Sequence, residues 1–314
     1  MSESGLSLSY ADIISAISAR FHNDAAPTGA VLAACKRSAN AGLRRFLRLK
    51  DWWFLTPQTT IVAWATATGT MTVTGGTTVT DSTNKPFRPG MLGHTIVPTS
   101  PAVAGTTYTI TAYTSTSVVT VGAAATADTG KAFTITADGR VSLPDDFGYP
   151  EGNPAHAPSV GYGALKHVTP DQIRVQQSLG SVSGAPTAWS VMPRAAATTG
   201  QRWELVLWPV PDADYTLYYS YKVNAAAMTA DAEYPPGGPD IGDAILQFAK
   251  AEHERLQSGR YGVENDMALK EALPAALRLD ALMRPGTVGP MTDGSDGTDV
   301  EWDPTDYTSG LTEG

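Results

Sequence analysis

The sequence predicts an α+β fold: a helical bundle with a small antiparallel sheet, interrupted by an inserted all-β domain of barrel or sandwich type and followed by an extended acidic tail. Three observations predict it. Apolar residues recur with helical period at both ends of the chain, a threonine-rich middle alternates with period two, and the residues after Arg284 include acids but no lysine or arginine. The expected divisions are 1–58 with 138–284 for the helical domain and its short strands, 59–137 for the insertion, and 285–314 for the tail. The two flanks are read as one interrupted domain because each alone is too small to bury its apolar faces.

In the first helix Ser9 followed by Asp12 resembles a capping box, and Ile13, Ile17 and Phe21 recur at four-residue steps. Pro27 opens a longer second helix with the apolar stripe Leu32, Cys35, Ala39, Leu43, Phe46 and Leu47. Trp52, Trp53, Phe54 and Leu55, closed by Pro57, read as a core strand or anchor. From Thr59 to Ala137 about three residues in ten are threonine, and runs such as Met71-Thr72-Val73-Thr74 and Tyr108-Thr109-Ile110-Thr111 alternate. Turn signals at Gly75-Gly76, Pro89-Gly90 and Thr129-Gly130 separate these runs, and the spaced Ile, Val, Tyr and Phe residues can fill a core.

Beyond the insertion, Thr169-Pro170-Asp171-Gln172 combines an N-cap, a proline at the first helical position and a glutamine at the third, so a short helix is expected from Pro170 to about Gln177. Strands are expected over Trp203–Trp208 and Tyr215–Val223, with Tyr219 and Tyr221 on one face. Asp240 precedes a helix with Ile241, Ile245 and Phe248 on one side, and a last helix begins near Glu264 and is broken or kinked by Pro274.

Composition narrows the function classes. The 314 residues are 42% hydrophobic and 17% charged, within the range of globular proteins, and no apolar run approaches the roughly 18 residues of a membrane span. The start MSESGLSLSY shows no secretory signal pattern, so the chain is expected to stay in the cytoplasm where it is made. The formal net charge is -9, but Asp293, Asp296, Asp299, Glu301, Asp303, Asp306 and Glu313 all lie in the tail. Without them the body is nearly neutral, so the global sign does not exclude anionic partners.

Catalytic and cofactor patterns are weak. His22, His94, His156, His167 and His253 lack the spacing of a metal-binding helix or zinc knuckle, and the single cysteine, Cys35, reads as a small buried hydrophobe. Asp145 and Asp146 are adjacent in a turn after Pro144, where two carboxylates would not face one substrate. Gly161-Tyr162-Gly163 lacks the third glycine of a dinucleotide fingerprint. The acids of the tail are spaced by three, unlike the alternation of a calcium loop. No enzyme, cofactor or metal is expected.

One charged feature remains. Arg37, Arg44 and Arg48 fall on one face of the second helix, with Lys36, Arg45 and Lys50 nearby and only Asp51 in opposition. The face is open to three readings: a solvated helix surface, a contact with an acidic partner, or a contact with a phosphate backbone. Trp52 and Trp53 look like core rather than a stacking platform for bases.

Taken in order, these pieces resemble the head-to-tail adaptor proteins of tailed bacteriophages, the class that includes the tail tubular A protein of short-tailed phages. The resemblance spans most of the chain. It rests on the helix pair ending in Leu43-Arg44-Arg45-Phe46-Leu47 and Trp52-Trp53-Phe54, and on the β insertion with Gly69-Thr70-Met71-Thr72-Val73-Thr74-Gly75-Gly76 ahead of Thr109-Ile110-Thr111. It continues with the Leu143-Pro144-Asp145-Asp146-Phe147 turn, Gly184-Ala185-Pro186, and Leu207-Trp208-Pro209-Val210-Pro211-Asp212 leading into Tyr215-Thr216-Leu217-Tyr218-Tyr219-Ser220-Tyr221. The large insertion and the long acidic tail depart from the pattern.

The resemblance implies a structural virion protein at the head-tail interface. It implies a homo-dodecameric ring, bound to the portal protein above and to a tail tube or nozzle protein below. Double-stranded DNA would pass through the lumen without sequence-specific binding, and no membrane would be involved. Within this reading the basic face meets a partner, and Val300, Trp302 and Tyr307 anchor the acidic tail on the portal. The competing classes are a virion-associated host-surface or glycan-binding module, which would use the threonine-rich domain, and a wall-degrading tail protein, which would need an acid and base in a cleft.

Overall fold

The computed structural model describes residues 5–73, 76–99, 107–125, 128–158, 161–180, 182–194 and 202–284. The chain begins with helices α1 (Tyr10–His22) and α2 (Gly29–Leu47), then a single 3-10 turn at Trp53–Leu55. Strands β1 (Gln58–Ala63), β2 (Ala67–Val73), β3 (Gly76–Thr80), β4 (Thr95–Pro98), β5 (Tyr108–Ser115), β6 (Val118–Ala125) and β7 (Asp128–Ile135) follow. After them come β8 (Arg140–Ser142), β9 (Phe147–His156), β10 (Lys166–His167), α3 (Pro170–Ser178), β11 (Ala188–Pro193), β12 (Trp203–Trp208) and β13 (Tyr215–Val223). Helices α4 (Pro239–Ser258), α5 (Val263–Met267) and α6 (Leu273–Met283) complete the order, with a π-helical segment at Ala268–Ala272 between the last two.

The expected helical bundle with a small sheet is overturned. Strands carry most of the architecture: a closed barrel in the order β2-β3-β6-β5-β4-β7, a three-stranded sheet β1-β13-β9 and a four-stranded sheet β10-β11-β12-β8. The reason lies in pairing across long sequence separations. β1 precedes the barrel, yet it pairs antiparallel with β13, matching Gln58 to Ser220 and Ala63 to Tyr215. The segments on either side of the barrel are therefore joined through their sheets, and their helices pack as a separate layer instead of a bundle enclosing a small sheet. One hydrophobic cluster joins barrel and sheets through residues such as Trp64, Phe87, Met91, Val141, Leu205 and Tyr219.

In β2 the threonines sit on the outer side while Met71 and Val73 are buried, so two-residue alternation gives the barrel its dry interior. Asp81, the one buried acid of the barrel among the described residues, accepts hydrogen bonds from the backbone of Thr70, Thr83 and Asn84. Burial opposes its charge, but these donors outweigh that and hold the carboxyl below its ordinary range. A Cβ on Gly69 would fall 2.2 Å from an Asp81 oxygen, so only glycine leaves room for this arrangement.

Helices α1, α2, α4 and α6 form a separate layer with its own cluster, including Tyr10, Ile13, Ile17, Phe46, Trp52, Ile241, Ile245 and Phe248, while α3 packs on β11 and β12. The Ser9 and Thr169 capping boxes are both present, because each N-cap oxygen takes an orphan N–H of the first turn. α2 starts at Gly29 with Thr28 as N-cap, two residues later than Pro27 suggested. Trp52 to Leu55 is no strand: Trp52 is buried, stacks on Phe46 at 4.4 Å and donates its Nε1–H to the Phe46 carbonyl, closing a tight turn. Pro274 lacks an N–H for its helix, and the π-helical segment lies immediately ahead of it.

Candidate functional site

Helix α2 is a two-sided element. Cys35, Ser38, Ala39, Gly42, Leu43 and Phe46 are buried on one side. Gly42 sets the approach to α4, since a Cβ there would lie 2.4 Å from the Ala249 backbone. At about 100° per residue, Arg37, Arg44 and Arg48 point roughly 120–160° away from Gly42 and fall within about 40° of one another. All three are exposed, and none has a side-chain hydrogen bond or ion pair among the described residues.

The neighbouring bases behave differently. Lys36 pairs with Asp231 at 3.6 Å, Arg45 with Glu252 at 3.3 Å, and Lys50 with buried Asp280 at 2.9 Å. Arg45 also lies over the ring of Tyr261, 4.4 Å from its centroid. The cluster of six bases thus divides into three committed to the fold and three left for solvent or a partner.

Arg44 and Arg48 line a groove of about 400 Å³ together with Asp51, Tyr149, Lys222 and Asn224. Its floor is fixed by hydrogen bonds. Tyr149 donates its hydroxyl proton to Asp51 at 2.7 Å, an interaction that pushes the phenol up to about 12. Lys222 donates to the Trp52 carbonyl at 2.6 Å, and burial lowers its pKa despite nearby Asp51.

A second groove of about 550 Å³ runs between α4 and α6. Asp240, Asp243 and Glu271 outnumber Arg278 and give it net negative sign, and Met267 and Leu282 give it exposed apolar surface. Asp240, Asp243 and Gln247 point roughly 120–180° away from Ala249, where α4 meets α2. The basic and acidic surfaces therefore occupy opposite sides of the α2–α4 pair.

The remaining residues singled out in the sequence are absorbed by structure. Asp145 pairs with Arg202, and Asp146 accepts from the Tyr221 hydroxyl at 3.0 Å, so the two carboxylates serve the turn that joins β8 to β9. Val300, Trp302 and Tyr307 lie outside the described residues. Sequence spacing missed one cluster: His22, Cys35 and His253 converge from α1, α2 and α4, with ligand atoms all within 4.8 Å of one another. No local signal could have found it, because the two histidines are 231 positions apart.

Among the described residues no helix is long and apolar enough to cross a membrane. No protein-family model matches the chain, and no curated protein matches it significantly.

Proposed function

We propose that this chain is a structural virion protein, the head-to-tail adaptor of a tailed bacteriophage. In this reading it forms a ring between the portal and the tail tube or nozzle, around the DNA exit channel. The observation that carries the proposal is the unpaired state of Arg37, Arg44 and Arg48 beside three paired bases on the same helix and its C-terminal extension. Solvated bases give little stability, but a single-sign face steers encounters with an acidic surface and sets register once docked.

An adaptor must hold two neighbours without competition between them. Two faces of opposite sign on opposite sides of the α2–α4 layer meet that requirement, with the basic one assigned to the portal. Asp145 and Asp146, the carboxylate pair considered for catalysis, are committed to Arg202 and Tyr221, which supports a role without chemistry.

The test is imaging and sedimentation of the purified protein alone and mixed with portal, at low and high ionic strength. Stacked rings that dissociate as salt rises are the expected result. Replacement of Arg37, Arg44 and Arg48 by Gln should leave the melting temperature within about 1–2 °C and weaken portal binding about tenfold or more at low salt. Unchanged binding by the triple variant at low salt would assign these arginines to solvent. Glycan binding or wall hydrolysis without portal binding would favour the competing classes.

A further inference from the structure

We propose that His22, Cys35 and His253 form a transition-metal site of zinc type that ties α1, α2 and α4 together. His22 is the last residue of α1, Cys35 lies on the buried side of α2, and His253 is buried on α4. Their ligand atoms all lie within 4.8 Å of one another, and the two Nε2 atoms are 3.0 Å apart. A tetrahedral zinc ion with Zn–N of about 2.05 Å and Zn–S of about 2.3 Å needs N···N near 3.3 Å and N···S near 3.6 Å. The two imidazole nitrogens need to part by a few tenths of an ångström and the sulfur to move in by up to about 1 Å, within the reach of side-chain rotation.

The tautomer is set by a neighbour. Ser38 Oγ gives its single proton to the Ala34 carbonyl at 2.9 Å, so toward His253 Nδ1, also at 2.9 Å, it can only accept. His253 therefore carries its proton on Nδ1 and presents the Nε2 lone pair to His22. This is how metal-bound histidines are commonly oriented, with the far nitrogen donating to an outer partner.

Without a metal, a His22 Nε2–H could donate to His253, with the Gln257 amide 3.2 Å from both rings. That arrangement leaves two things unexplained. It makes no use of Cys35, and it leaves wholly buried Ser18 Oγ with no oxygen or nitrogen partner, only the weakly hydrogen-bonding thiol of Cys35 beside it. Ser18 lies beside the thiol, and its influence opposes the rise in pKa that burial causes there. A metal-bound thiolate on Cys35 would give the Ser18 hydroxyl a charged acceptor.

Two imidazoles and one thiolate select borderline or soft ions such as zinc over magnesium or calcium. Gln257 stands where it could supply the fourth ligand through its oxygen if the amide is turned, and His22, the exposed member, leaves a path from solvent. On binding, the thiol proton goes to solvent and the sulfur electron pair goes to the metal. One proton is released per ion from Cys35.

The experiment uses the full chain, freed of metal by chelator, titrated with Co(II) and then Zn(II). One ion per chain is expected, with visible cobalt bands of tetrahedral type, a near-ultraviolet thiolate-to-cobalt band, release of about one proton, and displacement by zinc. Zinc at a hundredfold excess over its Kd should raise the melting temperature by about 5 °C. Cys35→Ser should lose the thiolate band, and His22→Gln, at an exposed position, should fold normally and lose the thermal shift. A folded wild-type chain with no cobalt band, or an equal thermal shift in wild type and both variants, would overturn the site. Neither result depends on ring formation or portal binding.

Discussion

Asp280 shows how much one side chain can organise. It is wholly buried on α6, and its carboxylate receives the Trp53 N–H at 2.6 Å, Lys50 at 2.9 Å and Arg284 Nε at 3.1 Å. Burial works against the charge, but Lys50, the Trp53 N–H and Arg284 outweigh it and hold the carboxyl below its usual range. Because the folded pKa lies below the unfolded value of about 3.9, the unfolded chain binds more protons in the intervening window. The stabilisation is therefore complete above about pH 4 and is lost as pH falls through the folded pKa. Asp280→Asn should melt earlier at pH 7, by the equivalent of about 1–3 kcal/mol, and lose less stability than wild type in thermal scans from pH 5 to 2. Gly42 makes a steric counterpart. Gly42→Ala gains helix propensity of about 1 kcal/mol, but its methyl meets the Ala249 backbone rather than a movable side chain. A net loss of about 1–3 kcal/mol is expected in denaturant unfolding, with the midpoint moved and the slope kept.

Among the elements, the barrel and helix α3 invite opposite tests. The barrel begins and ends at paired positions, Ala67 opposite Ile135, whose Cα atoms in an antiparallel ladder lie about 4.5–5.5 Å apart. A short Gly/Ser bridge can therefore replace residues 67–135 without stretching β1 or β8. The barrel also covers part of its neighbours: Gly90 packs so closely on Val141 that an added Cβ would fall 2.3 Å from a Val141 methyl. The shortened chain should keep its helical circular dichroism and melt cooperatively at a lower temperature. Loss of the cooperative transition would mean that the flanking sheets depend on the barrel to fold. In α3, Thr169→Ala removes the N-cap oxygen that receives the Gln172 N–H, and should cost about 1 kcal/mol in the same assay.

The whole molecule separates stability from contact. Most of its buried apolar residues lie in two clusters, one shared by barrel and sheets and one within the helical layer, and the exposed face of Arg37, Arg44 and Arg48 lies outside both. Substitutions at Arg37, Arg44 and Arg48 are therefore expected to alter assembly with little effect on melting, whereas changes at Gly42 or Asp280 act through folding. Measuring both properties for each variant separates a docking face from a structural one, since loss of assembly at unchanged stability cannot come from unfolding.

The sequence by itself determined what consecutive residues encode. The capping boxes at Ser9 and Thr169, the alternation of the barrel strands, the grouping of Tyr219 with Tyr221 and the single-sign face of Arg37, Arg44 and Arg48 all follow from local period and local hydrogen bonding. Only the tertiary structure decided that β1 pairs with β13 across the barrel, that sheets rather than a helical bundle dominate the body, and that Arg45 and Lys50 are spent on Glu252 and Asp280. It alone joined His22, Cys35 and His253. The physical reason is that a strand or a helix face states which side it will bury but not against what. The partner is chosen by the total apolar area buried and polar groups satisfied over the entire chain, weighed against the entropy of closing long loops, a balance that no local window contains.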